Sequence, residues 1–125
     1  MSDIPDGTDP AELANWLFDR ARQGETERLA AYIDAGAPAN LTDAEGNTLL
    51  MLAAYHGHAA TVRELLARGA DPDALNDRGQ SPLAGAVFKQ EADVIAALLE
   101  AGADVDAGTP SARATAQMFG VSLEI

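Results

Sequence analysis

The side chains that could carry chemistry are few. His56 and His58 are the two imidazoles of the chain, and Asp71 with Asp73 and Asp104 with Asp106 form two closely spaced carboxylate pairs. Histidine beside carboxylates could support acid–base hydrolysis or hold a metal, and paired aspartates could ligate calcium. Their spacing speaks against both. With Gly57 between them, the imidazoles do not share a helix face. The aspartate pairs recur 33 residues apart, at one place in a repeated unit, which fits backbone hydrogen bonding in turns. Cysteine is absent, which removes disulfides, thiolate nucleophiles and thiolate zinc sites. No Gly-x-x-x-x-Gly-Lys-Ser/Thr, Gly-x-Gly-x-x-Gly, His-Glu-x-x-His or Gly-x-Ser-x-Gly pattern occurs. A small hydrolase or metal site built on His56 with carboxylates is the catalytic alternative, and no motif supports it. The expectation is a protein that is not an enzyme and carries no cofactor or metal.

The elements that hold these residues follow from composition and period. Hydrophobic residues make up 47% of the 125 residues and aromatics only 5%, so the core is built from Ala, Leu and Val, which suits closely spaced helices. The length fits one domain. A formal charge of −12 disfavours nucleic acid and anionic membranes, both of which recruit Lys and Arg. Apolar runs are too short to cross a bilayer, and residues 1–10 lack the basic and apolar regions of an export signal, so the expected location is cytoplasmic.

At an offset of 33 the chain matches itself: Gly36-Ala37, Gly69-Ala70 and Gly102-Ala103 fall in register, as do Gly24 with Gly57, Gly46 with Gly79, Ala53 with Ala86, and Leu65-Leu66 with Leu98-Leu99. Thr48 is placed to cap a helix running to about residue 56. Ser81 repeats the cap, with Pro82 at the first helical position, where its missing N–H is harmless. A second helix follows from about 58 to 67 with Val62, Leu65 and Leu66 on one face; Val94 or Ile95, Leu98 and Leu99 repeat it. Gly69 and Gly102 close these helices in the left-handed conformation. Asp9-Pro10 starts a helix to about 22, paired with one over 28–34. Thr109 follows Gly102 by only seven residues, where Ser81 follows Gly69 by twelve, so a capping helix is expected from Thr109 to about Phe119.

The residues Asp43, Gly46, Thr48, Leu50, Ala53, Gly57-His58, Leu65-Leu66 and Gly69-Ala70-Asp71 resemble the ankyrin repeat, as do Gly79, Ser81-Pro82-Leu83, Ala86, Leu98-Leu99 and Gly102-Ala103-Asp104. The resemblance spans about residues 9–119 and is similar to small free-standing bacterial ankyrin proteins. It implies an all-α solenoid of helix-turn-helix units with short hairpin loops, capped at both ends: a capping repeat over 9–40, full repeats over 41–73 and 74–106, and a capping helix over 107–125, all in a single domain, 1–125. Three departures stand out. Met51 and Ala84 occupy the histidine place of the Thr-Pro-Leu-His pattern, Gln90 replaces the glycine seen at 24 and 57, and Gly85 stands within a helix where the preceding unit has Leu52.

The resemblance implies a protein–protein interaction module, an adaptor or regulatory scaffold, monomeric alone and binding an unknown protein partner with its concave face. The variable ankyrin positions fall on Ala44, Glu45, Asn47, Tyr55 and His56 in one unit and on Asp77, Arg78, Gln80, Phe88 and Lys89 in the next. Tyr55 and Phe88, 33 apart, are expected side by side as an aromatic pair, either as contact residues or as half-buried struts. His56 is inert surface or a contact residue; His58 helps to begin the second helix. Trp16, Leu17 and Tyr32 are assigned to the core. Two other roles remain open: a homo-oligomeric spacer, which lacks an apolar outer face, and binding through the acidic outer helices.

Overall fold

The computed structural model describes residues 9–123, and the assignment for residues 1–10 falls almost entirely outside them. Seven helices follow one another: α1 (Pro10–Gln23), α2 (Thr26–Asp34), α3 (Leu49–Tyr55), α4 (Ala59–Ala67), α5 (Pro82–Phe88), α6 (Ala92–Glu100) and α7 (Ala112–Phe119). The described residues form no strands, only an isolated antiparallel bridge between Thr42 and Thr48. Helices α1, α3, α5 and α7 stack as an inner row and α2, α4 and α6 as an outer row, with α1–α2, α3–α4 and α5–α6 paired across.

Each inner helix begins at a side-chain cap. The Thr48 Oγ1 accepts from the Met51 N–H at 3.0 Å, the Ser81 Oγ accepts from the Ala84 N–H at 3.0 Å, and Asp9 Oδ1 accepts from the Ala11 N–H at 2.9 Å. Such caps satisfy backbone donors that a helix leaves unpaired, each contributing about 1 kcal/mol. The last inner helix corrects the sequence reading. It is capped by Ser111, whose Oγ accepts from the Ala114 N–H at 3.1 Å, and Thr109-Pro110 belongs to the preceding loop. The interval from Gly102 to the cap is therefore nine residues, three short of the interval from Gly69 to Ser81.

The core runs continuously through the stack. Leu17, Leu29, Leu49, Leu50, Leu65, Leu83 and Leu98 are fully buried with Val62, Val87 and Val94. Burying each leucine contributes roughly 1.5–3 kcal/mol. Of the alternatives at 94 and 95, Val94 is the buried one. Small residues (Ala21, Ala53, Ala86, Ala112) reach zero exposure where helices approach. Trp16 and Leu17 are core residues. Tyr32 departs from its expected place: it is half-buried, its ring 5.0 Å from that of Trp16.

The hairpins are built by carboxylates and amides turned onto backbone. Asp43 Oδ1 accepts from the N–H groups of Glu45 and Asn47, and Asn76 Oδ1 does the same for Arg78 and Gln80. Asp71 accepts from the Asp73 N–H, Asp104 accepts from the Asp106 N–H, and Asp73 reaches the next unit to accept from the Asp104 N–H at 2.7 Å. Asp71, Asp73 and Asp104 are thus occupied by backbone N–H groups, and Asp106 by the Arg113 guanidinium at 2.8 Å. The Asp77 N–H donates to the Glu45 carbonyl and the Thr109 N–H to the Gly79 carbonyl, which ties successive hairpins together.

Candidate interaction groove

A groove of about 710 Å³ lies between the hairpins and the ends of the inner helices. On the hairpin side it is lined by Ala44, Glu45, Asn47, Asp77, Arg78 and Gln80; on the helix side by Tyr55, His56 and Phe88. Nine of the ten positions assigned from sequence therefore converge on one feature. The tenth, Lys89, does not line it, and its ammonium lies 4.8 Å from the centre of the Tyr55 ring.

The ankyrin-like departures fit this geometry. Met51 and Ala84 are buried, and they line the groove floor with apolar atoms where a histidine would be polar. Tyr55 packs beside Gly85, where a Cβ would meet Tyr55 Cδ1 at 3.6 Å, an ordinary contact. Tyr55 and Phe88 line the groove from equivalent places on α3 and α5, and each ring packs against a different neighbour. Tyr55 meets His56 edge-on at 5.6 Å, while Phe88 packs edge-on against Phe119 at 5.7 Å. Both rings are exposed, Tyr55 by 41% and Phe88 by 54%, so neither is a half-buried strut.

His58 has a structural place. It precedes α4 without capping it through the side chain. Its ring lies where a side chain on Gly24 would stand, and Nε2 donates to the Arg22 carbonyl at 2.7 Å. One unit on, Glu91 takes the equivalent position, its carboxylate over Gly57. Lys89 and Arg22 stand near enough to His56 to act on its charge. Partial burial, His58, Lys89 and Arg22 each hold its pKa below the ordinary imidazole value. The described residues contain no cluster of three or more histidine and carboxylate side chains placed to hold a metal ion, and no helix among them is long and apolar enough to cross a membrane.

Sequence reasoning overlooked the C-terminal end of the groove. Met118 is 67% exposed and Phe119 43%, and Met118, Thr115 and Pro110 line the groove. Counting from the caps would have found them: Tyr55, Phe88 and Met118 each lie seven residues after Thr48, Ser81 and Ser111. Arg22 completes the row at the other end, since it precedes Gly24 as Tyr55 precedes Gly57.

The family model for ankyrin repeats in three copies matches residues 17–109, and the chain belongs to the ankyrin repeat family. It is 54% identical over 52 residues to PA3287 of Pseudomonas aeruginosa, itself named for ankyrin repeats, over 42% of this chain and 30% of that protein. Over 65 residues it is 49% identical to human ankyrin repeat family A protein 2, covering 50% of this chain and 21% of that protein. The chain thus spans less than a third of the length of these curated relatives. Among solved structures, the human ASB11 ankyrin repeat domain superposes with a TM-score of 0.68 at 31% identity, over 71% of this chain and 40% of that one.

Proposed function

We propose that this chain is a non-catalytic adaptor or regulatory scaffold that binds a protein partner along the groove between hairpins and inner helices. Ankyrin repeats are generally protein–protein interaction modules, which supplies the class. The observation that carries the groove reading is the exposure of Tyr55, Phe88, Met118 and Phe119 together, four of the five exposed large apolar side chains among the described residues, in a chain with 5% aromatics. Exposed apolar side chains gathered in one place mark a surface that is covered in use, and aromatic anchors carry much of the energy of such contacts. The lack of cysteine suits a reducing cytoplasm.

The test is affinity capture of a partner from the native extract, followed by titration against the Tyr55→Ala/Phe88→Ala double variant. A loss of about 2 kcal/mol, roughly thirtyfold in Kd, is expected with the helical circular-dichroism spectrum retained. Unchanged affinity in the folded double variant moves the binding surface off the groove, to the acidic outer helices.

A further inference from the structure

The four inner helices are not held alike. Helices α1, α3 and α5 each pair with an outer helix, whereas α7 rests chiefly on α5 and no outer helix follows it among the described residues. The buried residues of α7 are Ala112, Thr115 and Ala116, while α3 buries Leu49, Leu50 and Leu52, and α5 buries Leu83 and Val87. No large apolar side chain of α7 is inside the core. An eight-residue helix is too short to persist unaided, so α7 stays folded only while it is docked. Beyond it, Val121 and Leu123 are only partly buried against the core.

The loops add a second difference at the same end. Asn40 Oδ1 accepts from the Asp71 N–H at 2.7 Å, and Asp73 Oδ1, 33 residues on, accepts from the Asp104 N–H at 2.7 Å. These side chains tie each unit to the backbone of the next. At the third step stands Asp106, and its Oδ1 accepts from the Arg113 Nε of α7 at 2.8 Å. A backbone tie is thus replaced by an ion pair whose side chains are half or more open to solvent, and such pairs contribute little. The Arg113 N–H also donates to the Val105 carbonyl, and the Thr109 N–H to the Gly79 carbonyl, both at 2.9 Å. The base of α7 is therefore tethered. Its other end carries Met118 and Phe119 and meets the stack at the exposed Phe88–Phe119 ring contact.

Accepting the groove reading above, on which this rests, we infer that α7 is a movable wall of the groove: it undocks about its Ser111 end while α1 to α6 stay folded, and an occupant that touches Met118 closes it. Few buried contacts are lost when α7 opens, so opening takes less free energy than unfolding of the stack. Opening strips Met118 from the groove lining and separates Phe119 from Phe88. An occupant that uses Met118 binds the closed form better, so occupancy and closure favour each other by the same factor. Arg113 is a positioning residue in this scheme, holding the base of α7 through Asp106.

The experiment is amide hydrogen exchange on the full chain, read by mass spectrometry. Relative to the unfolded-chain rate, residues 112–121 are expected to exchange about tenfold faster than α3 and α5. Arg113→Ala speeds them about threefold further and leaves α3 and α4 unchanged, and Arg113→Lys, which keeps the charge, restores most of the protection. The probe for closure is a twelve-residue peptide selected by phage display on the parent and not retained by the folded Tyr55→Ala/Phe88→Ala variant. At about ten times its Kd the peptide slows exchange over 112–121 by about tenfold. Exchange over 112–121 as slow as in α3 overturns the movable wall and leaves the groove reading standing. A groove-dependent peptide that binds without slowing that exchange does the same. Equal exchange in Arg113→Ala and the parent overturns the positioning role of Arg113. A selection without groove-dependent peptides overturns the groove reading, and closure by an occupant with it.

Discussion

The α3–α4 and α5–α6 pairs are built to one plan and differ at the point where each inner helix turns into its outer one. The first pair has Gly57 there at φ +81°, the second Gln90 at φ +57°. The left-handed turn is kept although glycine is lost, so it is imposed by the backbone bonds around it: the His58 N–H donates to the Ala53 carbonyl, and the Glu91 N–H to the Ala86 carbonyl. What differs is the neighbour. Glu91 of the following unit presses its carboxylate onto Gly57, where a Cβ would come within 2.5 Å of Oε2, whereas Gln90 is exposed. Identical local geometry therefore leaves a side chain free at Gln90 and crowds one at Gly57, where the Glu91 carboxylate must swing aside.

Moving the difference from one pair to the other tests this most sharply. Gly57→Gln should lower stability by about 2 kcal/mol, combining the left-handed cost of a Cβ with displacement of Glu91. An unfolding midpoint within error of the parent would show that neither term acts. Next in size is Gly85→Ala, a change inside α5 toward the character of α3, which has Leu52 at that place. The new methyl meets Tyr55 at ordinary contact distance, so removal of glycine's freedom from a helix interior should raise stability by about 1 kcal/mol. A fall in urea midpoint would mean that the Tyr55 ring cannot accommodate the methyl. Smaller again, Gln90→Gly should raise stability by roughly 0.5 kcal/mol, the relief of left-handed strain being offset in part by the greater freedom of glycine in the unfolded chain. A lower midpoint would show that Gln90 makes contacts worth more than the strain.

The smallest effect concerns acid. Hydrogen bonds from Arg68 and Arg113 hold the Asp34 and Asp106 carboxyls below the ordinary carboxylate pKa. Depressed folded-state values mean stability that is present above the ordinary carboxylate range and lost as pH falls through the folded pKa values. Both pairs are exposed, so the contribution is slight and screened by salt. Asp106→Asn should remove a small part of the acid-side slope of stability against pH; a slope identical to the parent's would show that the Arg113 pair contributes nothing.

Much of the architecture was legible in residue types. Thr48 and Ser81 before apolar runs, glycines at a period of 33 and the Leu-Leu pairs describe helices, their ends and their stacking direction, because capping, left-handed closure and amphipathic burial act within a few residues of chain. Nine of the groove positions came from the resemblance to the ankyrin repeat, whose variable positions were carried onto this chain.

The sequence by itself determined the repeated unit, its helices and their caps, and the resemblance to ankyrin repeats supplied where its variable positions fall. Tertiary structure alone decided what those positions meet. It started α7 at Ser111, two residues beyond the expected Thr109, and brought Met118 into the groove lining. It packed Phe88 against Phe119, left Tyr32 half-buried beside Trp16, and carried Lys89 out of the groove lining onto the Tyr55 ring. Two of these outcomes join residues of different repeats: Lys89 to Tyr55 spans 34 positions, and Phe88 to Phe119 spans 31. Local propensity acts over a few residues, whereas the packing of a ring or the partner of a charge is settled by whichever surface the stack brings against it.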